Sequence, residues 1–272
     1  MDGTLLSPSH TLTPATVSAV RRLSSSGVKV VIATGRSAPA VREHVDRLGL
    51  GVDVPAVVYN GGMFLNFAGG VSAGEAVAGT SPVPKRWAAA AVDYARRKGL
   101  LLQYYTPDGI YVEPKSEGHR TLMRRYAELT GVAQVLVGDG YAAVKEAEPE
   151  PLKMLLMTDD PQGTLKDAKG EVGGCTLVKG EFFVEILGVG VSKGSTIEKL
   201  CASLGTPMSS VLAFGDGDND VEFLSSAGLG VAMKNGVDRA KGAADRVTEY
   251  TNDEDGVARE IERLREEGLL PK

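Results

Sequence analysis

The strongest constraint on the fold is the alternation of short apolar runs with amphipathic helical segments at both ends of the chain. Near the start, residues 28–33 and 56–59 are apolar runs typical of buried strands, and helical patterns precede and separate them. The same order returns late in the chain at residues 211–214 and 229–233. Strands that alternate with helices over short connections predict a parallel sheet covered by helices. We therefore expect an α/β fold with a Rossmann-like parallel-sheet core.

The middle of the chain follows a different pattern. Residues 100–106 and 109–113 are typical of two strands around a turn, and residues 176–179 and 181–186 predict a second hairpin. Helical patterns accompany these hairpins, as expected for an α+β domain. We predict that this domain is inserted into the first, with a core from residues 1–80 and 188–272 and an inserted α+β cap from residues 81–187.

Composition narrows the class of protein. The chain has 272 residues and a net charge of −5, which argues against nucleic acid as a partner because backbone binding needs clustered Lys and Arg. No run approaches the ~20 apolar residues of a membrane span, and the first residues do not resemble a signal peptide.

Cys175 and Cys201 lack metal-type spacing, so we expect thiols rather than a disulfide. A cytoplasmic location is expected, with an organelle address possible if upstream sequence is missing. The oligomeric state stays open.

An acidic run at residues 215–220 follows one of the predicted strands. Asp216, Asp218 and Asp220 would repel one another at the end of a parallel strand unless a cation lies among them, and hard oxygen ligands suit Mg²⁺. A solvated acidic turn is the alternative. A calcium EF-hand loop is excluded, because Val221 occupies the position of its turn glycine and Ala227 that of its bidentate Glu.

Two further motifs have the chemistry of an anion site. Thr34, Gly35 and Arg36 follow the strand at residues 28–33, where a hydroxyl group and backbone N–H groups at a helix start can bind an anion. Lys193 stands at the start of a predicted helix and can neutralise a phosphate and a carboxylate. Taken alone, the first motif also fits an ordinary helix cap, and Lys193 also fits a surface lysine. The segment around Lys193 does not match a Walker A loop.

Five motifs occur in one order along the chain: DGTLL at residues 2–6, TGR at 34–36, NGG at 60–62, SKG at 192–194 and GDGDND at 215–220. In this combination the chain resembles the haloacid dehalogenase-like hydrolases, specifically the Cof-type branch with a large α/β cap. The resemblance covers nearly the whole chain and implies a Mg²⁺-dependent phosphatase. It implies that Asp216 binds the metal and that Asp220 supports the metal shell and Lys193.

The resemblance also assigns the remaining site residues. Thr34 would hydrogen-bond the phosphoryl group, Lys193 would offset negative charge, and Asp2 would bind Mg²⁺ through its carbonyl and act through its carboxyl as general acid and then base. The expected substrate is a small phosphorylated metabolite, such as a sugar phosphate, a nucleotide or a cofactor phosphate, hydrolysed through an aspartyl-phosphate. The residues expected near that substrate are Gly35, Arg36, Asn60, Gly61 and Asn219.

The first motif departs from the family pattern Asp-x-Asp-Gly-Thr, whose first Asp is the nucleophile. Asp2 matches the second Asp, so the nucleophile would lie directly before Met1. We favour the interpretation that Met1 is an internal residue of an Asp-Met-Asp-Gly-Thr start, preceded by an apolar strand. The alternatives are a variant that binds a phosphorylated ligand without catalysis and, within the same superfamily, a phosphotransferase or mutase.

Overall fold

The protein is described by a computed structural model that covers residues 1–68, 75–138, 141–142, 144 and 149–271. The chain divides into two compact units. The first comprises Met1–Gly35, Val41–Gly79 and Lys193–Lys272, and the second comprises Arg36–Ala40 and Thr80–Ser192. The sequence placed the domain boundaries at residues 80/81 and 187/188, and the role of the second unit as a cap stays a prediction.

Regular elements are numbered in chain order over the described residues. The strands are β1 (Ile32–Ala33), β2 (Val54–Val58), β3 (Met63–Phe67), β4 (Glu75–Thr80), β5 (Leu101–Thr106), β6 (Gly109–Val112), β7 (Val135–Leu136), β8 (Lys153–Met157), β9 (Thr176–Lys179), β10 (Phe183–Leu187), β11 (Leu212–Gly215), β12 (Leu229–Ala232) and β13 (Arg246–Val247). The helices are α1 (Pro14–Ser25), α2 (Ala38–Leu48), α3 (Lys85–Lys98), α4 (Glu117–Thr130), α5 (Pro161–Glu171), α6 (Lys193–Ser203), α7 (Val221–Ser226), α8 (Asp238–Ala243) and α9 (Gly256–Glu266).

The first unit contains two sheets. In the order β1-β2-β3-β4, β1 runs parallel to β2 and β2 runs antiparallel to β3. In the order β11-β12-β13, all strands are parallel. Helix α6 contributes to the core that the two sheets share, because its Ile197 and Leu200 belong to one buried cluster with Val57 of β2 and Ala213 of β11. The predicted α/β class with parallel strands is confirmed.

The strand predicted at residues 28–33 is shorter than expected. Only Ile32 and Ala33 are paired, opposite Ala56 and Val57, and Val28 is half-buried. In the described part of the chain this strand has one neighbour, β2, and the residues before Ile32 form no strand hydrogen bonds with it. The sequence reading also missed β3 and β4, which continue the sheet after the Asn-Gly-Gly turn.

The second unit is built on a six-stranded sheet in the order β7-β6-β5-β8-β10-β9. The four pairs β6–β5, β5–β8, β8–β10 and β10–β9 are antiparallel, as the predicted hairpins require. One face packs against α3 and α5 through a cluster that includes Ala91, Leu156 and Ala168. Within the sheet, Lys153 Nζ on β8 donates to Glu185 Oε1 on β10 at 2.7 Å, and both side chains are buried. The pairing compensates two charges that would be costly to bury alone.

Two sequence expectations about the whole chain can be compared with the described residues. No helix in the described ranges combines the length and the apolar character that crossing a bilayer requires. Both cysteines are free thiols: Cys201 is buried on α6 and Cys175 is half-buried.

Helix α9 contains a buried acid that makes stability depend on pH. Glu260 is 3% exposed, with Nη1 of Arg246 and of Arg263 each 3.8 Å from a carboxylate oxygen. Burial raises the pKa of Glu260 despite these arginines. The folded state therefore favours the protonated form of Glu260. Its contribution to the free energy of unfolding is present at pH values below the pKa of Glu260 in the unfolded chain, and it is lost as the pH rises through the pKa of Glu260 in the folded protein.

We expect Glu260→Gln to unfold at a higher urea concentration than the parent at neutral pH, with the difference vanishing below about pH 4. Urea titrations at several pH values measure this. Glu262→Gln, which changes an exposed acid on the same helix, serves as the control. A Glu260→Gln variant that is less stable than the parent at neutral pH would contradict the prediction.

Candidate active site

The acidic run forms a tight loop at the carboxyl end of β11. Asp218–Asp220 form a 3₁₀ turn, and the Asp220 carboxylate turns back into the loop. Its Oδ2 accepts hydrogen bonds from the backbone N–H groups of Asp216 and Gly217, each at 2.9 Å. Asp218 points outward to Arg239 Nη1 at 3.0 Å. The three aspartates therefore have different environments, which their even spacing in the sequence does not show.

Lys193 and Asp220 form a buried ion pair. Lys193 is the first residue of α6, and its Nζ donates to Asp220 Oδ1 at 2.7 Å. Burial alone would raise the pKa of Asp220, but the Lys193 ammonium and the backbone hydrogen bonds hold that pKa below its usual value. Asp220 therefore stays ionised with both oxygens engaged. This contact is the one that the resemblance implied between these residues.

Asp216 packs against the loop of the first motif. The Thr4 hydroxyl donates to Asp216 Oδ1, and Gly3 lies so close that a Cβ atom there would overlap the carboxylate. Gly3 also has a φ of +67°, which a glycine adopts without strain. Burial, with a contribution from the charge of Asp220, raises the pKa of Asp216. A buried carboxylate beside a second one favours a cation.

The start of the chain lies inside this charged cluster. Met1 is 9% exposed, and its amino group is influenced by the charges of Lys193, Asp220 and Asp216. The backbone N–H groups of Thr4, Leu5 and Leu6 point to the Met1 carbonyl, at 3.3, 2.8 and 2.9 Å. The backbone at Met1 is therefore held in a tight turn next to Lys193 and Asp220.

Asp2 contacts a histidine that sequence reasoning missed. His10 Nδ1 lies 2.9 Å from Asp2 Oδ1, and both side chains are partly exposed. His10 has a φ of +57° in a turn closed by the N–H of Ser7 donating to the carbonyl of Thr11 at 3.0 Å. A single histidine in a polar segment gives no signal in a sequence, so only the structure shows this contact.

Two asparagines from late in the chain fix the first-motif loop. Asn235 Nδ2 donates to the Gly3 carbonyl at 2.7 Å, and Asn252 Nδ2 donates to the Leu6 carbonyl at 2.8 Å. The two are joined, because the Asn252 N–H donates to Asn235 Oδ1 at 2.9 Å. Sequence reasoning did not single them out. Their signal is only that each follows a strand of the β11-β12-β13 sheet.

Thr34 is buried at the carboxyl end of β1. Its N–H donates to the Val57 carbonyl at 2.9 Å, and its carbonyl accepts from the Asn60 N–H at 3.0 Å. The Asn60 side chain continues this connection, since its Oδ1 accepts from Asn219 Nδ2 at 3.0 Å. Asn219 belongs to the acidic loop. Arg36 lies in the short segment grouped with the second unit, so its predicted place at the site stays a prediction.

The side chains present fit a hard divalent cation in chemical type. The oxygen donor that the structure shows is the buried Asp216 carboxylate, which accepts from the Thr4 hydroxyl, and the Asp2 carbonyl is the second donor that the resemblance implies. Asp220 is less suited to direct ligation, because Lys193 and backbone N–H groups occupy its oxygens. Among the described residues, no group of three or more His, Cys, Asp or Glu side chains is arranged to hold a metal. The predicted metal roles of Asp2, Asp216 and Asp220 stay predictions.

This combination of a buried ammonium, a carboxylate pair and a threonine at a strand end suits the class of enzymes that act on phosphoryl groups. Comparison with known proteins agrees with the class. A profile of the haloacid dehalogenase-like hydrolases matches residues 1–261, and the chain belongs to that family.

Two named phosphatases and one solved structure are similar to this chain over nearly the full length of both chains. The chain is 29% identical to the pyridoxal phosphate phosphatase YbhA of Escherichia coli, covering 91% of this chain and 90% of that protein. It is 26% identical to the 5-amino-6-(5-phospho-D-ribitylamino)uracil phosphatase YwtE of Bacillus subtilis, covering 97% and 96%. A haloacid dehalogenase-like hydrolase structure from Bacteroides thetaiotaomicron superposes with a TM-score of 0.78 at 26% identity, over 97% and 96% of the two chains. The predicted family and the predicted enzyme class, a haloacid dehalogenase-type phosphoric monoester hydrolase, are confirmed.

Proposed function

We propose that this protein is a Mg²⁺-dependent phosphatase that hydrolyses a small phosphomonoester through an aspartyl-phosphate. The observation that carries the proposal is the buried Lys193–Asp220 ion pair beside Asp216, whose carboxylate accepts from the Thr4 hydroxyl in the loop that begins at Met1. A residue joined before Met1 would lie close to this cluster, because Met1 is buried and its carbonyl accepts from N–H groups of the same loop. The expected Asp before Met1 would therefore be a nucleophile beside an ammonium and a cation site.

The residues of this chain have complementary roles in the proposed reaction. Lys193 offsets the charge of the phosphoryl group, and Asp220 holds the Lys193 ammonium in place. The carboxylate of the expected preceding Asp attacks phosphorus while the P–O bond of the ester breaks, and Asp2 donates a proton to the leaving oxygen. Asp2 then accepts a proton from the water that attacks phosphorus, which breaks the bond to the Asp carboxylate and releases phosphate. Thr34 donates its hydroxyl to a phosphoryl oxygen. Mg²⁺, held by the Asp216 carboxylate and the Asp2 carbonyl, would supply positive charge to the phosphoryl oxygens.

The substrate is proposed to be a small phosphorylated metabolite. Two relatives are named for a cofactor phosphate and for a phosphorylated ribitylaminouracil, and both compounds are phosphomonoesters with a heterocyclic ring. A buried ammonium beside a buried carboxylate suits the phosphoryl group that such compounds share. The second unit is proposed to select among them. Gly35, Arg36, Asn60, Gly61 and Asn219 are the residues expected near the substrate.

The proposal is tested by measuring phosphate release with Mg²⁺ across a panel of phosphomonoesters. The assay uses the chain both as it stands and with one Asp joined before Met1. We expect Asp216→Asn to lower turnover at least about a hundredfold and to weaken Mg²⁺ binding in calorimetry, because it removes the carboxylate charge.

The matched control is Asp218→Asn in the same loop, whose carboxylate pairs with Arg239 at the surface. It should keep both Mg²⁺ binding and turnover. The proposal fails if no ester is hydrolysed in either form of the chain, or if Asp216→Asn and Asp218→Asn behave alike. Turnover that requires an acceptor sugar would instead indicate a phosphotransferase.

A further inference from the structure

A strained turn follows β2, and it includes two of the residues expected near the substrate. We name Tyr59, Asn60 and Gly61 the Asn60 corner. All three have positive φ, at +54°, +53° and +106°. Two consecutive non-glycine residues in the left-handed region are uncommon, and such strain persists only where the surroundings hold it. Tyr59 is 1% exposed and Asn60 is 6% exposed, so this conformation belongs to the interior.

The Asn60 corner contacts three separate parts of the site. The Asn60 N–H donates to the carbonyl of Thr34 at 3.0 Å. The Asn60 side chain accepts from Asn219 Nδ2 at 3.0 Å, which reaches the loop of Asp216 and Asp220. The Gly61 carbonyl accepts from the buried Thr196 hydroxyl at 3.1 Å, on the helix that begins at Lys193. Three segments far apart in sequence therefore meet at one turn.

Each amide of the Asn60–Asn219 pair packs against a glycine. A Cβ atom on Gly35 would lie 2.9 Å from Asn60 Nδ2, closer than side chains normally approach. A Cβ atom on Gly217 would lie 2.7 Å from Asn219 Oδ1. Gly35 follows Thr34, and Gly217 follows Asp216. The two glycines thus let the paired amides lie against the backbone of the Thr34 turn and of the acidic loop.

We propose that Asn60 and Asn219 are a pair of positioning residues that fix the Thr34 turn relative to the loop of Asp216 and Asp220. Its catalytic consequence rests on the proposed function. The structural coupling between the Thr34 turn and the loop of Asp216 and Asp220 does not depend on that function. The proposal differs from the expectation that each amide contacts the substrate by itself. The pairing at 3.0 Å and the strained backbone of Asn60 favour positioning, because a substrate contact requires neither.

The coupling is tested on the free protein by hydrogen–deuterium exchange with mass spectrometry. Asn219→Ala should speed exchange in the peptide containing Thr34 and Gly35, and Asn60→Gly should speed exchange across residues 215–220. Glycine is chosen at position 60 because it keeps the positive φ while removing the amide. Losing one hydrogen bond corresponds to about fivefold to tenfold faster local exchange. Asn66→Ala on β3, a partly exposed asparagine, should leave both peptides unchanged.

The catalytic consequence is tested on the active form with several esters. Asn60→Gly and Asn219→Ala should each lower kcat by about tenfold to a hundredfold for every ester, with KM changed by less than about twofold, since misplaced groups slow the reaction without removing a binding contact. The double variant should be no more than about threefold slower than the worse single variant, because both changes break one interaction.

The outcomes separate this proposal from the proposed function. Unchanged exchange in both distant peptides would overturn the positioning pair, whatever the activity. Multiplying effects in the double variant, or KM changes that differ between esters, would also overturn it and restore separate substrate contacts. If the parent hydrolyses no ester while the exchange changes occur as expected, the proposed function fails and the coupling is supported.

Discussion

Replacing Lys193 with Met lowers the free energy of unfolding by about 3–5 kcal/mol, because the substitution leaves the Asp220 carboxylate buried without its cation. Lys193 Nζ and Asp220 Oδ1 are 2.7 Å apart, and their side chains are each 6% exposed. The same change lowers turnover about a thousandfold in an active form of the protein, since the ammonium that offsets phosphoryl charge is gone. Urea unfolding and phosphate release measure the two effects separately.

The double variant Lys193→Met with Asp220→Asn separates folding from chemistry. It removes both charges, so at least half of the lost stability should return, whereas turnover should stay low. Lys199→Met, farther along α6 and at the surface, is the matched control and should change neither quantity. A Lys193→Met variant as stable as the parent would show that Asp220 is compensated by other groups, contrary to the ion pair in the structure.

We expect the chain with an Asp joined before Met1 to release phosphate at least about a thousandfold faster than the same chain with an Asn at that position. The new carboxylate would enter the cluster of Lys193, Asp216 and Asp220, where the Met1 amino group is buried. A short apolar segment placed before the added residue avoids burying a charged terminus there.

Rapid quenching with mass spectrometry should detect a phosphorylated peptide that contains the added Asp and is absent from the Asn form. Equal rates for the two forms would contradict an aspartyl-phosphate route. A chain with Ala at the added position controls for the effect of lengthening the chain, and it should behave like the Asn form.

Much of the core could be predicted because its signals are local. Apolar runs indicated β2, β11 and β12. The length of β1 could not be predicted, since a run of valines does not reveal how many neighbours a strand has. The sheet extension through β3 and β4 was missed for two reasons. The apolar run of β3 follows β2 after a tight turn at Gly61 and was not separated from it, and β4 is mostly exposed, so its apolar pattern is weak.

The site divides in the same way. The Lys193–Asp220 contact was implied by the family resemblance, and the structure brings the two residues together. Contacts of His10, Asn235 and Asn252 were not predictable, because single polar residues gain meaning only when the fold places them beside a particular backbone group or side chain. Asn60 is intermediate. The Asn-Gly-Gly motif was recognised in the sequence. The left-handed backbone of Asn60 and its pairing with Asn219 depend on the folded arrangement of distant segments, so the sequence alone does not predict them.

The Asn60 corner also bears on the chemical lifetime of the protein. An asparagine followed by glycine loses its side-chain amide readily, because the unhindered glycine nitrogen can attack the amide carbon and form a cyclic imide. At Asn60-Gly61 the side chain is buried and held by Asn219, which restricts the rotation that this attack requires. The contact that orders the site would therefore also slow its ageing. Stored samples of Asn219→Ala should accumulate the acid form at residue 60 faster than the parent, visible as the mass gain of deamidation in that peptide.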